Sequence, residues 1–420
     1  MSKLVEDDIE QWAIEQLQGL GYRFVHGPDI EPKSGEALRA YTDVLIASEV
    51  KTAIARLNPE LNGSQCEEVF RTLQNINHGS LIRDNREWHK YLTQGINIEI
   101  QQNGQSKGHL ARLIDFKDVH NNVFWAVNQV TIRQQRHERR PDIVLYINGL
   151  PLVVLELKNA VSENATLQDA FQQIQTYKHA IPSLFTYNAF NIISDGLEAR
   201  AGTISADFGR YMAWKTANGI YQAKNTQPQL EVLIAGMLGP VTLLDLLRHF
   251  MVYEDISNTD KQGIKTIKTV KKMAAYHQYY AVNAAVISTI RASNVNVTSE
   301  SAELALQQQG RTRQALVDKQ AVGDRKAGVI WHTQGSGKSL SMVFYTGKIV
   351  LALNNPTVVV LTDRNDLDDQ LFGTFSSAID LLRQPPVQAD SRDDLKHLLK
   401  VNSGGVIFTT IQKFQADNDV

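Results

Sequence analysis

The chain has 420 residues, of which 43% are hydrophobic and 21% charged, as in an ordinary folded protein of about two or three domains. Its formal net charge of −2 argues against binding of nucleic acid by overall positive charge, so such contacts must come from local patches. Cys66 is the single cysteine, which excludes an intrachain disulfide and a cysteine-based metal cluster.

The first predicted element is an amphipathic helix over residues 5–20, with apolar residues at every fourth position from Val5 to Leu17. Glu10 lies beside that apolar stripe. A loop over 26–40 and mainly helical structure over 41–95 follow. The acidic start of the chain lacks the apolar segment of a signal peptide, and no run of about 18 apolar residues occurs. We therefore expect a cytoplasmic protein without membrane contact.

From Ile96 onward the apolar pattern changes to the period of two that is typical of strands. The strongest signal is a hairpin, in which two apolar runs flank the turn Asn148-Gly149. A helix over 167–180 follows it. We predict an α+β domain over residues 1–256 with a mixed sheet, a site at one sheet edge, and an apolar helical segment over 227–256 that closes the domain.

The second run of this hairpin ends in two charged residues, Glu156 and Lys158, which share one face of the strand. Charges in an apolar strand are costly unless they are paired or bound to a ligand. Asp142 stands at the other end of the hairpin, and a plain two-residue turn would direct it away from Glu156. Convergence of the two acids therefore requires a three-residue turn or a bulge.

Two acids and a lysine in this arrangement suit a hard divalent cation such as Mg²⁺ and a polarised water. The alternative is a salt-bridged edge hairpin in which Glu156 and Lys158 only neutralise each other. Residues 131–140, directly before Asp142, carry four arginines against one glutamate. Residues 261–272 carry five lysines and no acid. Such runs can be solvated faces, but the position of the first favours a functional role.

The second domain is predicted over residues 257–420, after a polar, turn-rich boundary at 257–263. A helix over 270–292 opens it, and the mostly polar stretch 292–328 is interpreted as mobile or as an insertion. Apolar runs at 357–361 and 406–409 have the composition of buried parallel strands.

A phosphate-binding loop is predicted where the buried strand 328–331 runs through His332 into a helix that ends at Leu353. Glycines let backbone N–H groups surround phosphates, Lys338 reaches the terminal phosphates and Ser339 can bind Mg²⁺. The alternative is a Gly-rich turn before a helix. The remaining predicted nucleotide-binding residues of the loop are Thr333, Gln334, Gly335, Ser336 and Gly337.

Asp142 after a proline, followed by Glu156-x-Lys158, resembles the PD-(D/E)xK nuclease motif. The resemblance implies that the two acids hold the metal and that the lysine assists the attacking water. Gln173 and Tyr177 are four residues apart on one helix stripe and are similar to a residue pair of one branch of these nucleases. Such nucleases often direct a glutamate from an early helix at the metal, and Glu10 is the candidate here.

The second domain resembles the first RecA-like lobe of superfamily 2 motors, an α/β parallel-sheet domain that binds ATP. The segment 362–367, which contains Arg364, and the segment 410–412, which begins at Thr410, resemble motifs that hold nucleic-acid phosphates. Residues 276–278 resemble the glutamine motif, in which Gln278 would read the adenine. The Asp-Glu pair that such motors need is not found before Val420, so we expect an incomplete motor.

A nuclease followed by such a motor resembles the restriction (R) subunit of Type I restriction–modification enzymes. This implies ATP-driven translocation and cleavage of unmodified double-stranded DNA, with Arg139 and Arg140 near the DNA. It also implies specificity and methyltransferase partner subunits, which bind S-adenosylmethionine. Two alternatives stay open, which are a helicase–nuclease of DNA repair and a non-catalytic DNA-binding scaffold.

Overall fold

A computed structural model describes residues 6–102, 104–159, 166–259, 263, 265–293 and 321–414. The chain divides into two compact units, residues 1–247 and 248–420. Most of the stretch predicted to be mobile or inserted, 292–328, lies outside the described residues.

The helices of the first unit surround a central sheet. They are α1 (Glu6–Gly19), α2 (Ala47–Leu57), α3 (Gly63–Gln74), α4 (Leu81–Gln94), α5 (Leu167–Ala180), α6 (Pro182–Thr186), α7 (Gln229–Met237) and α8 (Pro240–His249). Helix α3 begins at a capping box between Asn62 and Gln65, and α5 begins at one between Thr166 and Asp169. These caps fix where each helix starts.

The strands of the first unit are β1 (Arg23–His26), β2 (Ile96–Gln102), β3 (Gln105–Ala111), β4 (Phe124–Asn128), β5 (Ile132–Gln134), β6 (His137–Arg139), β7 (Ile143–Ile147), β8 (Leu150–Leu157), β9 (Phe190–Ser194) and β10 (Ala199–Gly202). Six of them form the sheet β1-β4-β7-β8-β9-β10. β1 and β4 are parallel, as are β8 and β9, and the other neighbours are antiparallel. The predicted mixed sheet is therefore present.

The central strands β4, β7, β8 and β9 are buried along their whole length. Asn148 and Gly149 form the predicted turn, both with positive φ, of 51° and 78°. A side chain at position 149 would place its Cβ 2.7 Å from the carbonyl oxygen of Ile46, so glycine is required there.

The second unit contains a hairpin, a small parallel sheet and five helices among its described residues. Its elements are β11 (Met251–Thr259), β12 (Lys265–Met273), α9 (Tyr276–Ser293), α10 (Lys338–Ala352), β13 (Val358–Thr362), α11 (Asn365–Ser377), α12 (Ile379–Leu382), β14 (Pro386–Gln388), α13 (Arg392–Leu398) and β15 (Val406–Thr410). The sheet has the order β13-β15-β14, and β15 runs parallel to both neighbours, as predicted for 357–361 and 406–409.

Two predictions about the start of this unit are wrong. The helical segment 227–256 ends at His249, and the helix expected over 270–292 begins only at Tyr276, because β11 and β12 pair as an antiparallel hairpin across the expected boundary. β12 contains four β-branched residues, in two pairs between its lysines, and this composition favours a strand. The lysines expected to be solvated include Lys271, which is buried and whose pKa burial lowers to about 7.

The predicted buried strand 328–331 is also wrong. Val329 and Trp331 are 94% and 82% exposed, and the segment is irregular. An apolar parallel strand is stable only when it is hydrogen-bonded within a sheet and covered on both faces. None of the described strands pairs with this segment.

No single helix among the described residues is long and apolar enough to cross a membrane; the bent pair α7 and α8 passes by length and composition only.

Candidate functional site

A bulge in the central hairpin brings the two candidate acids opposite each other. The pairing of β7 with β8 shifts by one residue at Leu145–Tyr146, and beyond the shift Ile143 lies opposite Leu155. Continuing this register by one residue places Asp142 opposite Glu156, on the same face of the sheet. The predicted bulge is therefore present, and it accompanies a two-residue turn.

Glu156 is 1% exposed, and Lys158 is partly exposed beside it. The Nζ atom of Lys158 donates to Oε1 of Glu156 at 2.8 Å. The Oδ2 atom of Asp142 accepts the backbone N–H of Leu157 at 2.7 Å, which fixes this carboxylate next to the end of β8. The structure thus brings Asp142, Glu156 and Lys158 together at one end of two buried strands.

Helix α5 places Gln173 and Tyr177 at the same site. The Tyr177 hydroxyl donates to the carbonyl oxygen of Arg140 at 3.3 Å and also interacts with the side chains of Gln173 and Glu156. Burial, and then the negative charge of Glu156, raises the pKa of Tyr177 well above its usual value. The hydroxyl is therefore a neutral hydrogen-bond donor beside the carboxylates at any physiological pH.

Glu10 is buried and held by two amide side chains at the end of β4. Its Oε1 accepts from Asn128 Nδ2 at 2.7 Å, and its Oε2 accepts from Gln129 Nε2 at 2.5 Å. The backbone N–H of Gln129 donates to the carbonyl oxygen of Asp142 at 2.9 Å. Gln129, at the end of β4, therefore links Glu10 to the backbone of Asp142. Within the described residues, no group of three or more His, Cys, Asp or Glu side chains could hold a metal ion.

Asn128 and Gln129 are residues that sequence reasoning missed. Their signal is an abrupt change from a buried apolar strand to two amides, the second of which adopts a positive φ of 51°. A non-glycine residue in that conformation marks a strained position and is often found at functional sites.

The predicted phosphate-binding loop contains two glycines in left-handed backbone conformations. Gly335 and Gly337 have φ values of 79° and 81°, which other residues rarely adopt, and Gly337 directly precedes α10. The Nζ atom of Lys338 donates to the carbonyl oxygens of His332 at 2.9 Å and Thr333 at 3.3 Å. The helix N-terminus and the ammonium group thus contribute positive charge to one exposed loop.

Gln278 contacts this loop directly. It is 4% exposed, its Oε1 accepts the backbone N–H of Ala275 at 2.9 Å, and its Nε2 donates to the carbonyl oxygen of Gly337 at 3.0 Å. The neighbouring His277 places Nε2 3.1 Å from the carbonyl oxygen of Ser336. The amide therefore contacts the loop directly, and the reading of adenine by Gln278 stays a prediction.

Arg364 and Thr410 lie at the carboxyl ends of two neighbouring parallel strands. Thr362, the last residue of β13, pairs with Thr410, the last residue of β15, and the side chain of Arg364 is 76% exposed. Ligands of open α/β sheets bind at this edge. The buried Asp368 accepts from the Thr362 hydroxyl at 3.0 Å and supports the same edge.

Two protein-family models match most of this chain. A family model described as "Type I restriction enzyme R protein N terminus" matches residues 3–210. A model described as "SWI2/SNF2 ATPase" matches residues 277–420. The chain belongs to the Type I restriction enzyme R protein family.

Individual R-family relatives match almost the whole chain. It is 44% identical, over 99% of its length, to the Type I restriction enzyme HindI endonuclease subunit of Haemophilus influenzae. It is 32% identical, over 98% of its length, to the putative type I restriction enzyme MjaIXP endonuclease subunit of Methanocaldococcus jannaschii. The chain spans 37% and 38% of the lengths of these relatives.

Proposed function

We propose that this R-family chain carries a magnesium-dependent nuclease site and an ATP-binding lobe of a DNA translocase within a Type I restriction endonuclease. The observation that carries the proposal is the bulge that sets Asp142 opposite Glu156, with Lys158 beside them. The nuclease domain would be of the PD-(D/E)xK type over residues 1–256, and the RecA-like lobe would occupy 257–420. The proposed nuclease site and the proposed ATP-binding loop lie in different compact units, as expected of an enzyme that couples DNA cleavage to ATP hydrolysis.

The donor set fits Mg²⁺. Asp142 and Glu156 offer hard oxygens, and Mg²⁺ usually takes only one or two carboxylates from protein. When bound, the ion polarises a phosphoryl oxygen and lowers the pKa of a coordinated water. Lys158 donates to the Glu156 carboxylate and would also position the attacking water. Glu10, the metal ligand that the resemblance implies, is proposed to support the site by ordering the end of β4 through its two amide partners.

The residues of α5 complete the nuclease site. Tyr177 stays protonated and donates a hydrogen bond, and Gln173 interacts with its hydroxyl. The two side chains thereby restrict the orientation of the Glu156 carboxylate, and such positioning is a large part of catalysis. Retention of Asp142, Glu156 and Lys158 at one site supports a catalytic role over an inert DNA-binding scaffold.

In the second unit, ATP is proposed to bind the loop from Thr333 to Ser339. Backbone N–H groups and the start of α10 would face the phosphates, Lys338 would contact the terminal ones and Ser339 would bind the accompanying Mg²⁺. Gln278 would keep Gly337 in place. Double-stranded DNA is the proposed substrate, contacted by Arg139, Arg140, Arg364 and Thr410. Methyltransferase and specificity subunits, with S-adenosylmethionine bound to them, are the proposed partners.

Binding of Mn²⁺ in place of Mg²⁺ tests the metal assignment without a cleavage assay. We expect one Mn²⁺ site in the first unit, measured by water-proton relaxation, that Mg²⁺ displaces. Asp142→Asn and Glu156→Gln should each weaken this binding roughly tenfold or more, because each removes a charged ligand worth more than about 1.4 kcal/mol.

Glu36→Gln is the matched control, since Glu36 is an exposed carboxylate of the same unit. It should leave the titration unchanged. Equal Mn²⁺ affinity for the wild type, Asp142→Asn and Glu156→Gln would overturn the assignment of this metal site.

A further inference from the structure

The hairpin of β5 and β6, with its flanking residues 131–140, is called the arginine hairpin here. It runs directly into Pro141 and Asp142, and the Arg140 carbonyl oxygen accepts the hydroxyl of Tyr177 at 3.3 Å. The hairpin therefore leaves the sheet at the proposed nuclease carboxylates. Its four arginines and one glutamate give a formal charge of +3, in a chain whose net charge is −2.

A buried ion pair fixes the root of the arginine hairpin. Glu31 and Arg39 are 4% and 5% exposed and lie 3.6 Å apart. The Oε1 atom of Glu31 accepts the backbone N–H of Thr131 at 2.5 Å. The Nη1 atom of Arg39 donates to the carbonyl oxygen of the same Thr131 at 2.9 Å. Burial of such a pair is costly unless hydrogen bonds satisfy it. Here the hydrogen bonds that satisfy Glu31 and Arg39 hold the backbone N–H and carbonyl oxygen of Thr131, the first residue of the hairpin.

The β5 arm of the hairpin is anchored as well. The backbone N–H of Arg133 donates to the carbonyl oxygen of Tyr41 at 2.8 Å, and the Arg133 guanidinium lies 4.3 Å from the centre of the Tyr41 ring. On the same arm, Oε1 of Gln134 accepts the backbone N–H of Ser183 at 3.0 Å. A hairpin held in this way loses little conformational entropy when it binds a ligand.

The charges at its tip and base face solvent. Glu138 is engaged by Arg133, whose Nε donates to it at 2.5 Å, so the hairpin's one acid is already paired. Arg136 at the tip and Arg140 at the base are exposed, and within the described part of the chain neither side chain makes an ion pair. A preorganised hairpin thus presents guanidinium groups that no acid among the described residues neutralises.

We propose that the arginine hairpin contacts the phosphate backbone of duplex DNA beside the nuclease site, through Arg136 at its tip and Arg140 at its base. This rests on the proposed nuclease function. Four residues of extended chain separate the two arginines by roughly 13 Å. Phosphates recur about every 3.4 Å of helix axis on each strand, so the two guanidinium groups reach different phosphates and fix the register of the duplex.

The test is binding of a fluorescein-labelled duplex by the full 420-residue chain, followed by fluorescence anisotropy between about 50 and 200 mM salt. Each Arg→Ala change at 136 or 140 should weaken binding and reduce the slope of log K against log salt by about one. A·T-rich and G·C-rich duplexes should lose affinity equally, because phosphates carry no sequence. Arg136→Lys should retain most of the slope.

Arg83→Ala is the matched control, since Arg83 is an exposed arginine on α4, outside the hairpin. The proposal would be overturned if the slope for Arg136→Ala and Arg140→Ala were unchanged or changed no more than that for Arg83→Ala. It would also be overturned if the loss of affinity were confined to A·T-rich duplexes. Persistent cleavage by Asp142→Asn enzyme would instead refute the nuclease assignment and leave the slope result standing. The two failures are therefore distinguishable.

Discussion

Replacing Asp142, Glu156 or Lys158 by alanine is expected to abolish DNA cleavage by the assembled enzyme while ATP turnover continues. The acids would hold the metal, and a positioned proton-transfer or orienting group such as Lys158 contributes roughly 10²–10⁴-fold in rate. The phosphate loop lies in the other compact unit of the chain. Substitutions at distant sites without shared partners usually act independently.

The measurement is linearisation of unmodified circular DNA alongside ATP hydrolysis by the same preparations. Glu36→Ala should cleave normally, which controls for loss of a carboxylate as such. If any one of the three variants cleaved at the wild-type rate, its residue would have no place in the mechanism. Loss of ATP turnover in all three would show instead that the substitutions damage assembly.

Lys338→Ala is expected to weaken ATP binding about tenfold to a hundredfold and to stop DNA translocation, while the Mn²⁺ site of the first unit is retained. Hydrogen bonds to charged groups contribute about 1.5–3 kcal/mol each, and this lysine would contact the terminal phosphates. In the structure its ammonium already donates to two loop carbonyls, so the side chain is placed within the loop.

A fluorescent ATP analogue can measure this affinity on the purified chain. Lys400→Ala is a suitable control, because Lys400 is an exposed lysine of the same unit. Equal affinity for Lys338→Ala and the wild type would remove this loop from the nucleotide site.

The hairpin of β7 and β8 is the part of the fold that follows most directly from the sequence. The Asn148-Gly149 turn sets the register of the hairpin. Because side chains alternate between the two faces of a strand, the number of residues between the turn and each acid then predicts the face on which Asp142 and Glu156 lie. Since the count excluded a plain two-residue hairpin with both acids on one face, a three-residue turn or a bulge had to be expected if the acids act together. The register shift at Leu145–Tyr146 has that effect.

Features that depend on contacts distant in sequence were not predictable in this way. The partners of Glu10 are 118 and 119 residues away in the chain, and no local pattern indicates such pairs. The segment 328–331 has the apolar pattern of a strand, yet pattern alone does not supply the neighbouring strand it needs. Likewise, the composition of β12 favours a strand, but its boundary with the following helix is fixed only by its pairing with β11.

The most direct test of the central claim is a crystal structure of the chain grown with Mn²⁺, with the ion located by its anomalous scattering. We expect an anomalous peak that contacts carboxylate oxygens of both Asp142 and Glu156, with Lys158 beside Glu156. A peak elsewhere in the first unit, or Asp142 and Glu156 on opposite faces of the sheet, would contradict the assignment of this hairpin as a nuclease site.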